Sequence, residues 1–147
     1  MMNNILSLFT ILMTMSYQVY ALEKLLFQIQ NAFIDENAQP GKEIDGDSYH
    51  LKIECESTDW WSTQKKEVKD WKYTMDGISQ INKITSFDFP NNNFKECKLT
   101  LIEDELWNDE HGEYYIVRQQ LAGKKGVAFD AVFSDMYHVS MIVTLSS

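Results

Sequence analysis

The segment that decides the fold covers residues 48–56 and reads SYHLKIECE. Four apolar residues alternate with four polar ones: Tyr49, Leu51, Ile53 and Cys55 share one face, and His50, Lys52, Glu54 and Glu56 share the other. Strict alternation is typical of a β-strand that buries one face and exposes the other. The segment therefore predicts a strand at the surface of a core, with Cys55 pointing inward and His50 toward solvent.

The same alternation recurs along the rest of the chain, and sustained helical periodicity does not. Further predicted strands cover residues 25–33, 84–89, 97–103, 127–133 and 139–145, with less regular ones at 63–73 and 113–121. Segments rich in turn residues separate them at 35–47, 76–77, 90–93, 108–112 and 123–126. About eight short strands without βαβ alternation predict one all-β domain, a two-layer antiparallel β-sandwich.

An apolar segment precedes the predicted strands, and Glu23 is the first charged residue. Val19, Tyr20 and Ala21 end this segment with the small and branched residues that a signal peptidase reads. We therefore expect residues 1–21 to be a signal peptide cleaved after Ala21, residues 22–147 to form the β-sandwich, and the protein to be secreted. An uncleaved membrane anchor is the alternative, because the apolar segment is just long enough to span a bilayer.

The chain has two cysteines, Cys55 and Cys97. An even number in an oxidising compartment favours a disulfide bond. Both lie on the inward face of an alternating segment, so both sulfur atoms should enter the same core. A metal site or a nucleophile would need a Cys or His partner at a useful spacing, which neither cysteine has. We predict a structural Cys55–Cys97 disulfide.

The chain carries 22 acidic and 13 basic residues, a formal net charge of −9. This balance argues against nucleic-acid binding, because proteins that bind phosphate backbones are basic at the contact surface. Residues 35–47 and 103–113 together carry a net charge of −10, and the remaining residues carry +1. These two acidic segments are either solvated loops or ligands for Ca²⁺, a hard cation that takes six to eight oxygen ligands.

Two parts of the sequence resemble C2 domains, the calcium- and phospholipid-binding β-sandwiches. Residues 26–32 (LFQIQNA) and 47–53 (DSYHLKI), with an acidic segment between them, resemble the opening of that family. Residues 99–105 (LTLIEDE) and 109–113 (DEHGE) resemble its third loop. The resemblance extends over most of the chain after residue 21 and implies Ca²⁺ as a cofactor and a membrane surface or extracellular protein as a partner. The implied metal ligands are Asp47, Glu103, Glu105 and Asp109, with Asp35 or Asp45 completing the set.

Basic and aromatic residues suggest further binding surfaces. Lys65, Lys66 and Lys69 crowd one predicted strand, and in C2 domains a basic strand is often a lipid-headgroup surface; here interleaved acidic residues could also neutralise it. Trp60, Trp61 and Trp107 lie in polar connections, where an exposed indole could enter a membrane interface or stack on a sugar ring. They support an alternative, a carbohydrate-binding or adhesion module.

Enzyme signatures are absent from the sequence: it has no H-E-x-x-H, no G-x-S-x-G and no glycine-rich phosphate loop. We therefore expect a secreted, non-enzymatic binding module. It would use the acidic segments at one end of a C2-like sandwich to bind Ca²⁺ and a membrane or protein partner. A metal-free secreted effector or inhibitor is the remaining alternative.

Overall fold

The computed structural model describes residues 22–35, 37, 48–59, 63–73, 77–104 and 109–147. The eight strands are β1 Leu22–Ile34, β2 Ser48–Ser57, β3 Thr63–Lys72, β4 Ser79–Pro90, β5 Phe94–Glu103, β6 Asp109–Val117, β7 Val127–Phe133 and β8 Tyr137–Ser146. A short helix, α1 Arg118–Leu121, lies between β6 and β7. Residues 1–21, predicted to be a signal peptide, lie outside the described residues. Among the residues that are described, no helix is long and apolar enough to cross a membrane.

The strands form two four-stranded sheets whose neighbouring strands are all antiparallel. Sheet 1 has the order β4-β1-β8-β7, and sheet 2 has the order β3-β2-β5-β6. Each sheet buries one face against the other, as the period-two patterns require. The predicted all-β, two-layer sandwich is confirmed.

The segment at residues 48–56 forms the centre of sheet 2. Its predicted inward residues Tyr49, Leu51, Ile53 and Cys55 are all fully buried. Cys55 lies directly opposite Cys97 on the adjacent strand β5, and the two sulfur atoms are bonded at 2.04 Å. The predicted disulfide is therefore present, and it joins two strands that already share a hydrogen-bond ladder.

One part of the predicted pattern in β1 is wrong. Strict alternation from Leu25 places Phe33 on the core face, but the register with both neighbouring strands shifts between Ile29 and Asn31. A β-bulge of this kind adds one residue to a strand and exchanges its two faces. As a result Ala32 is buried, and the Phe33 ring stacks on the His138 ring with centroids 4.2 Å apart.

Two expectations near β6 are also wrong. Residues 109–112 belong to β6 rather than to a turn, and Gly112 has a φ of +102° beside a register shift in the β5–β6 pair. The predicted strand at 113–121 ends at Val117, because the chain turns into α1 and buries Leu121. The Val117 N–H donates to Gln120 Oε1 at 2.8 Å, which satisfies a backbone group at the start of the helix.

The antiparallel order places four connections at one end of the sandwich and three at the other. The connections β1–β2, β3–β4, β5–β6 and β7–β8 share one end, which we call the acidic end. The sheets meet there through the Tyr49 and Tyr137 rings, whose centroids are 5.7 Å apart. Ser134 Oγ also donates to the His111 carbonyl oxygen at 2.7 Å. The opposite end, which carries β2–β3, β4–β5 and α1, is called the far end.

Candidate functional site at the acidic end

The first acidic segment ends at β2, and the second begins at the end of β5, the neighbour of β2 in sheet 2. Ser48 begins β2 just after the first segment, and Asp104 follows β5 inside the second. The Asp104 N–H donates to the Ser48 carbonyl oxygen at 2.7 Å. On the other side, Asp35 follows β1, and its N–H donates to the Met136 carbonyl oxygen at 2.8 Å. The described flanks of both acidic segments therefore lie at one end of the sandwich.

Glu103 is the last residue of β5, and its carboxylate points into the protein. The residue is 6% exposed, and its Oε2 lies 2.5 Å from His111 Nε2 on β6. The His111 ring packs on Tyr137 with centroids 4.5 Å apart. A buried carboxylate needs such a partner, because desolvation disfavours an uncompensated charge. Glu103 therefore joins β5 to β6 at the base of the second acidic segment.

Asp104 follows directly and points to the opposite face, as alternation requires. Its Oδ1 lies 2.6 Å from His50 Nδ1 on β2, and His50 is 9% exposed. Although His50 occupies the outward face of β2, it is largely covered by neighbouring side chains and bound to a carboxylate. His111 and His50 thus contact the consecutive residues Glu103 and Asp104 from opposite faces of sheet 2.

Of the remaining predicted metal ligands, two lie among the described residues and three do not. Asp109 is exposed and lies opposite Glu103 in the β5–β6 register, and Asp35 is half-buried and accepts a hydrogen bond from the Asn37 N–H at 3.1 Å. Asp45, Asp47 and Glu105 lie outside the described residues. Among the described residues, no group of three or more His, Cys, Asp or Glu side chains is placed to hold a metal ion. A complete donor set would therefore need carboxylates from the parts of the acidic segments that are not described.

An aromatic cluster forms the floor beneath the acidic end. The Tyr73 ring lies 4.7 Å from the Tyr49 ring, 4.9 Å from the Trp71 ring and 5.6 Å from the Tyr137 ring, measured between centroids. All four side chains are buried, and burial raises the pKa of Tyr73, with a smaller contribution from Tyr137. Packed rings of this size hold the strand ends in fixed positions below the connections.

The three predicted headgroup lysines do not face one surface. Lys65 Nζ lies 3.0 Å from Glu54 Oε1, and Lys69 Nζ lies 2.8 Å from Glu67 Oε2. Lys66 instead reaches sheet 1, where it donates to the Ser86 carbonyl oxygen and lies 5.4 Å from the centroid of the Phe87 ring. Lys65 and Lys69 are thus neutralised by acidic neighbours, and Lys66 links the edges of the two sheets.

Glu54 is the centre of a charge network on the outer face of sheet 2. Lys98 Nζ lies 3.3 Å from Glu54 Oε2 and 3.4 Å from Glu113 Oε1. Desolvation alone would raise the pKa of Glu54, but hydrogen bonds from Lys65 and Lys98 outweigh it and lower that pKa. The hydrogen bond with Glu54 in turn raises the pKa of Lys98. The outer face of sheet 2 therefore carries charges of both signs, and neighbouring charges offset one another.

The three tryptophans proposed for binding, Trp60, Trp61 and Trp107, lie outside the described residues. In the sequence, Trp60 and Trp61 fall between β2 and β3, and Trp107 falls between β5 and β6.

The sequence did not lead us to expect a polar cluster at the far end. Glu23 is 2% exposed, and its two carboxylate oxygens lie 2.7 Å from Arg118 Nη1 and 2.6 Å from Arg118 Nη2. Glu23 Oε1 also accepts from the Phe94 N–H at 3.2 Å. Glu23 lies two residues before Leu25, so alternation places both on the inward face of β1. An inward acidic residue requires a partner, and this feature of the sequence could have indicated the cluster. The cluster joins β1, β5 and α1.

Comparison with known proteins finds similarity in structure but not in sequence. No protein-family model and no curated protein matches the chain. Its structure is similar to human GIVD cytosolic phospholipase A2, with a TM-score of 0.59 and 9% identity over 87% of this chain and 18% of that chain. It is similar to CC2D1B, with a TM-score of 0.59 and 9% identity over 84% of this chain and 54% of that chain.

A C2 domain protein from Ramazzottius varieornatus matches with a TM-score of 0.54 and 11% identity, over 87% of this chain and 90% of that chain. The chain therefore spans only part of the phospholipase and of CC2D1B, but nearly the whole of this third protein. Likeness at such low identity concerns the fold and not the activity. The chain thus has a C2-like fold, as its sequence motifs predicted.

Proposed function

We propose that the chain is a secreted, non-enzymatic binding module that binds Ca²⁺ at its acidic end. Through the ion it would attach to an anionic membrane surface. The observation that carries this proposal is the hydrogen bond from the Asp104 N–H to the Ser48 carbonyl oxygen, because it ties the flanks of the two acidic segments together. The C2-like fold supports the same function, since C2 domains commonly bind Ca²⁺ and phospholipid.

Electrostatics gives the physical reason for a cation at this end. The two acidic segments contain 11 acidic residues and one lysine. His111 and His50 contact Glu103 and Asp104, and Lys98 contacts Glu113, so three of these carboxylates already have a partner. The others raise the local negative potential, and a divalent cation relieves repulsion between nearby carboxylates. A site in an extracellular protein functions even with a dissociation constant of about 10⁻⁴ to 10⁻³ M.

The proposed ligands differ in what binding would require of them. Asp109 is exposed at the start of β6, and Asp35 directly follows β1, so both could contribute without disrupting the core. Asp45, Asp47 and Glu105 would supply further oxygens from the acidic segments. Glu103 would have to exchange its contact with His111 for the ion. We therefore rank Asp109 first among the described residues for mutational testing.

Thermal unfolding of residues 22–147, which contain all eight strands, tests the proposal. Ca²⁺ at ten times its dissociation constant should stabilise the fold by about 1.4 kcal/mol through binding linkage. The Asp109→Asn variant should lose most of this gain, whereas Asp88→Asn, an exposed aspartate on β4 near the far end, should keep it. Unfolding temperatures that Ca²⁺ leaves unchanged would refute the metal proposal.

Vesicle sedimentation tests the membrane step separately. The protein should sediment with vesicles containing about a third phosphatidylserine when Ca²⁺ is present and remain in solution when the ion is chelated, since an anionic surface and the bound ion attract each other. Terbium is a useful probe, because one structural neighbour, the phospholipase, was solved with terbium chloride. Stabilisation by Ca²⁺ without sedimentation would retain the metal site and direct attention to a protein partner.

A further inference from the structure

The sequence contains two pairs of adjacent lysines, and the structure places them in different surroundings. Lys65 and Lys66 lie inside β3, whereas Lys124 and Lys125 lie in the turn between α1 and β7. Every other basic residue in the described part of the chain lies in a strand or in α1. We call residues 122–126 the dibasic turn.

Few contacts hold the dibasic turn in place. Residues 122–125 are all exposed, and a Cβ added to Gly123 would meet no atom within 4 Å. The Lys124 N–H donates to the Leu121 carbonyl oxygen at 3.1 Å, and Lys124 Nζ donates to the Gln120 carbonyl oxygen at 3.0 Å. Both acceptors belong to α1, which has only four residues. Exposed segments with so few hydrogen bonds and buried contacts open locally at a low cost in free energy.

The other lysine pair is held by its neighbours on both sheets. Lys65 and Lys66 are in register with Glu54 and Ile53 on β2. The Lys65 ammonium contacts the Glu54 carboxylate, and the Lys66 ammonium donates to the Ser86 carbonyl oxygen on β4. Exposing this pair to an enzyme would require a ten-residue strand to leave its sheet. The Lys65–Lys66 pair is therefore protected for as long as the protein is folded.

We propose that the dibasic turn is a processing site for a trypsin-like serine protease, whose specificity pocket holds a carboxylate that binds a lysine ammonium. Water hydrolyses the peptide bond after Lys124 or Lys125: the C–N bond breaks, and a carboxylate and an amine form. Gly126 follows the pair and has no side chain to obstruct the enzyme. Meeting such a protease outside the cell rests on the proposed secretion, whereas the preference for this turn does not.

Cleavage in the dibasic turn leaves two chains that stay assembled. The C-terminal piece contains β7 and β8, and β8 is paired on one side with β1 and on the other with β7. Its side chains Tyr137, Val139 and Met141 are buried in the core. The disulfide between Cys55 and Cys97 lies wholly in the N-terminal piece. Packing and hydrogen bonds alone therefore hold the C-terminal piece.

The cleaved form depends on concentration, because a piece that is no longer tethered can dissociate. Tyr137 belongs to the C-terminal piece, and its ring packs on His111 and on Tyr73 at the acidic end. Dissociation on dilution therefore dismantles the acidic end. Processing at the dibasic turn thus limits the time for which the secreted module can act.

Limited digestion of folded residues 22–147 with trypsin tests the proposal, and mass spectrometry follows the initial rate at each bond. The bonds after Lys124 and Lys125 should be cleaved at least about a hundredfold faster than those after Lys65 and Lys66, because local opening suffices for the turn. Unfolding the protein in urea should remove most of this difference. Equal rates for the two pairs in the folded protein would overturn the proposal.

Two matched variants separate local opening from global unfolding. Lys124→Gln/Lys125→Gln should lose the early cut, because glutamine offers no ammonium to the specificity pocket. Lys65→Gln/Lys66→Gln makes the same chemical change in β3 and should be cleaved in the dibasic turn at the rate of the unsubstituted protein. Faster cleavage of this control would show that trypsin acts on globally unfolded chains, which would also overturn the proposal.

Gel filtration of the cleaved protein tests the two-chain form. The two pieces should elute together, and the unfolding temperature should rise with protein concentration, since unfolding now includes dissociation. Pieces that separate as soon as they form would contradict the two-chain form. None of these measurements involves Ca²⁺, so failure here is distinct from failure of the metal proposal.

Discussion

Glu23 is the least exposed of the described acidic residues, and its partner reaches the solvent. The Glu23 side chain is 3% exposed, whereas that of Arg118 is 38% exposed. The two side chains make a bidentate pair, and the hydrogen bond with Glu23 raises the pKa of Arg118. Arg118 Nη1 also donates to the Phe94 carbonyl oxygen at 3.1 Å. The pair therefore satisfies a buried carboxylate and fixes the far end of β5.

Removing one partner should harm stability more than removing both. Arg118→Leu leaves a buried carboxylate without its guanidinium, and we expect the free energy of unfolding to fall by about 3 kcal/mol. In the double variant Glu23→Leu/Arg118→Leu, the loss should be smaller, because no buried charge remains. Urea unfolding at pH 7 measures both. A double variant that is less stable than Arg118→Leu would contradict this explanation of the pair.

Glu54 should make stability depend on pH in the acid range. Its pKa in the folded protein lies below the ordinary value of 4.5, so the folded state binds fewer protons than the unfolded state. Its stabilising contribution is complete above pH 4.5 and is lost as pH falls through the lowered pKa. Glu54→Gln should therefore be less stable than the unsubstituted protein at pH 7, with the difference shrinking toward pH 3.

Urea unfolding from about pH 3 to pH 7 covers the range in which carboxylates titrate and checks the expectation for Glu54. Glu110→Gln, an exposed glutamate on β6 of the same sheet, is the control and should change the stability by less than about 0.5 kcal/mol. A difference between Glu54→Gln and the unsubstituted protein that stays constant over this range would mean that the Lys65 and Lys98 contacts do not stabilise the folded state.

At the scale of elements, the disulfide joins strands that are already paired. Cys55 and Cys97 lie opposite each other within the β2–β5 ladder, 42 residues apart in sequence. The hydrophobic pattern of both strands sets the register without the bond. Loss of the bond should therefore lower stability without changing the fold.

The Cys55→Ala/Cys97→Ala variant should lose about 4 kcal/mol of unfolding free energy, as expected when a closed loop of this length is opened in the unfolded chain. Its far-ultraviolet circular dichroism should remain that of a β-sandwich. Titration of free thiols in the denatured, unsubstituted protein should find none. A loss of the β-sheet spectrum in the double variant would show that the disulfide is needed to set the register.

The elements also show how far sequence reasoning reaches. All eight strands were predicted, because inward residues such as Leu51 and Ile53 alternate with polar residues. The bulge between Ile29 and Asn31 was missed, since an inserted residue leaves no mark on composition. The pairs His50–Asp104 and His111–Glu103 were also missed, because cross-strand contacts depend on register and on the exact position where a strand ends.

At the scale of the whole molecule, the two sheets divide the charged and uncharged residues unequally. Sheet 2 places the charge network on its outer face, whereas central residues on the outer face of sheet 1, such as Leu26 and Ile142, carry no charge. The acidic segments connect strands at one end, where Glu103 and Asp104 are held by histidines from β6 and β2. This arrangement separates the acidic end, where we propose that a cation binds, from the balanced charged face of sheet 2.

Calorimetric titration of residues 22–147 with Ca²⁺ tests the central claim most directly. We predict saturable binding with a dissociation constant of about 10⁻⁴ to 10⁻³ M, weakened at least about tenfold by Asp109→Asn and unchanged by Asp88→Asn. Mg²⁺ should bind more weakly, because it demands a stricter octahedral geometry and gives up its water reluctantly. Heats that show no saturation with Ca²⁺, or equal binding by the Asp109→Asn variant, would contradict a cation site at the acidic end.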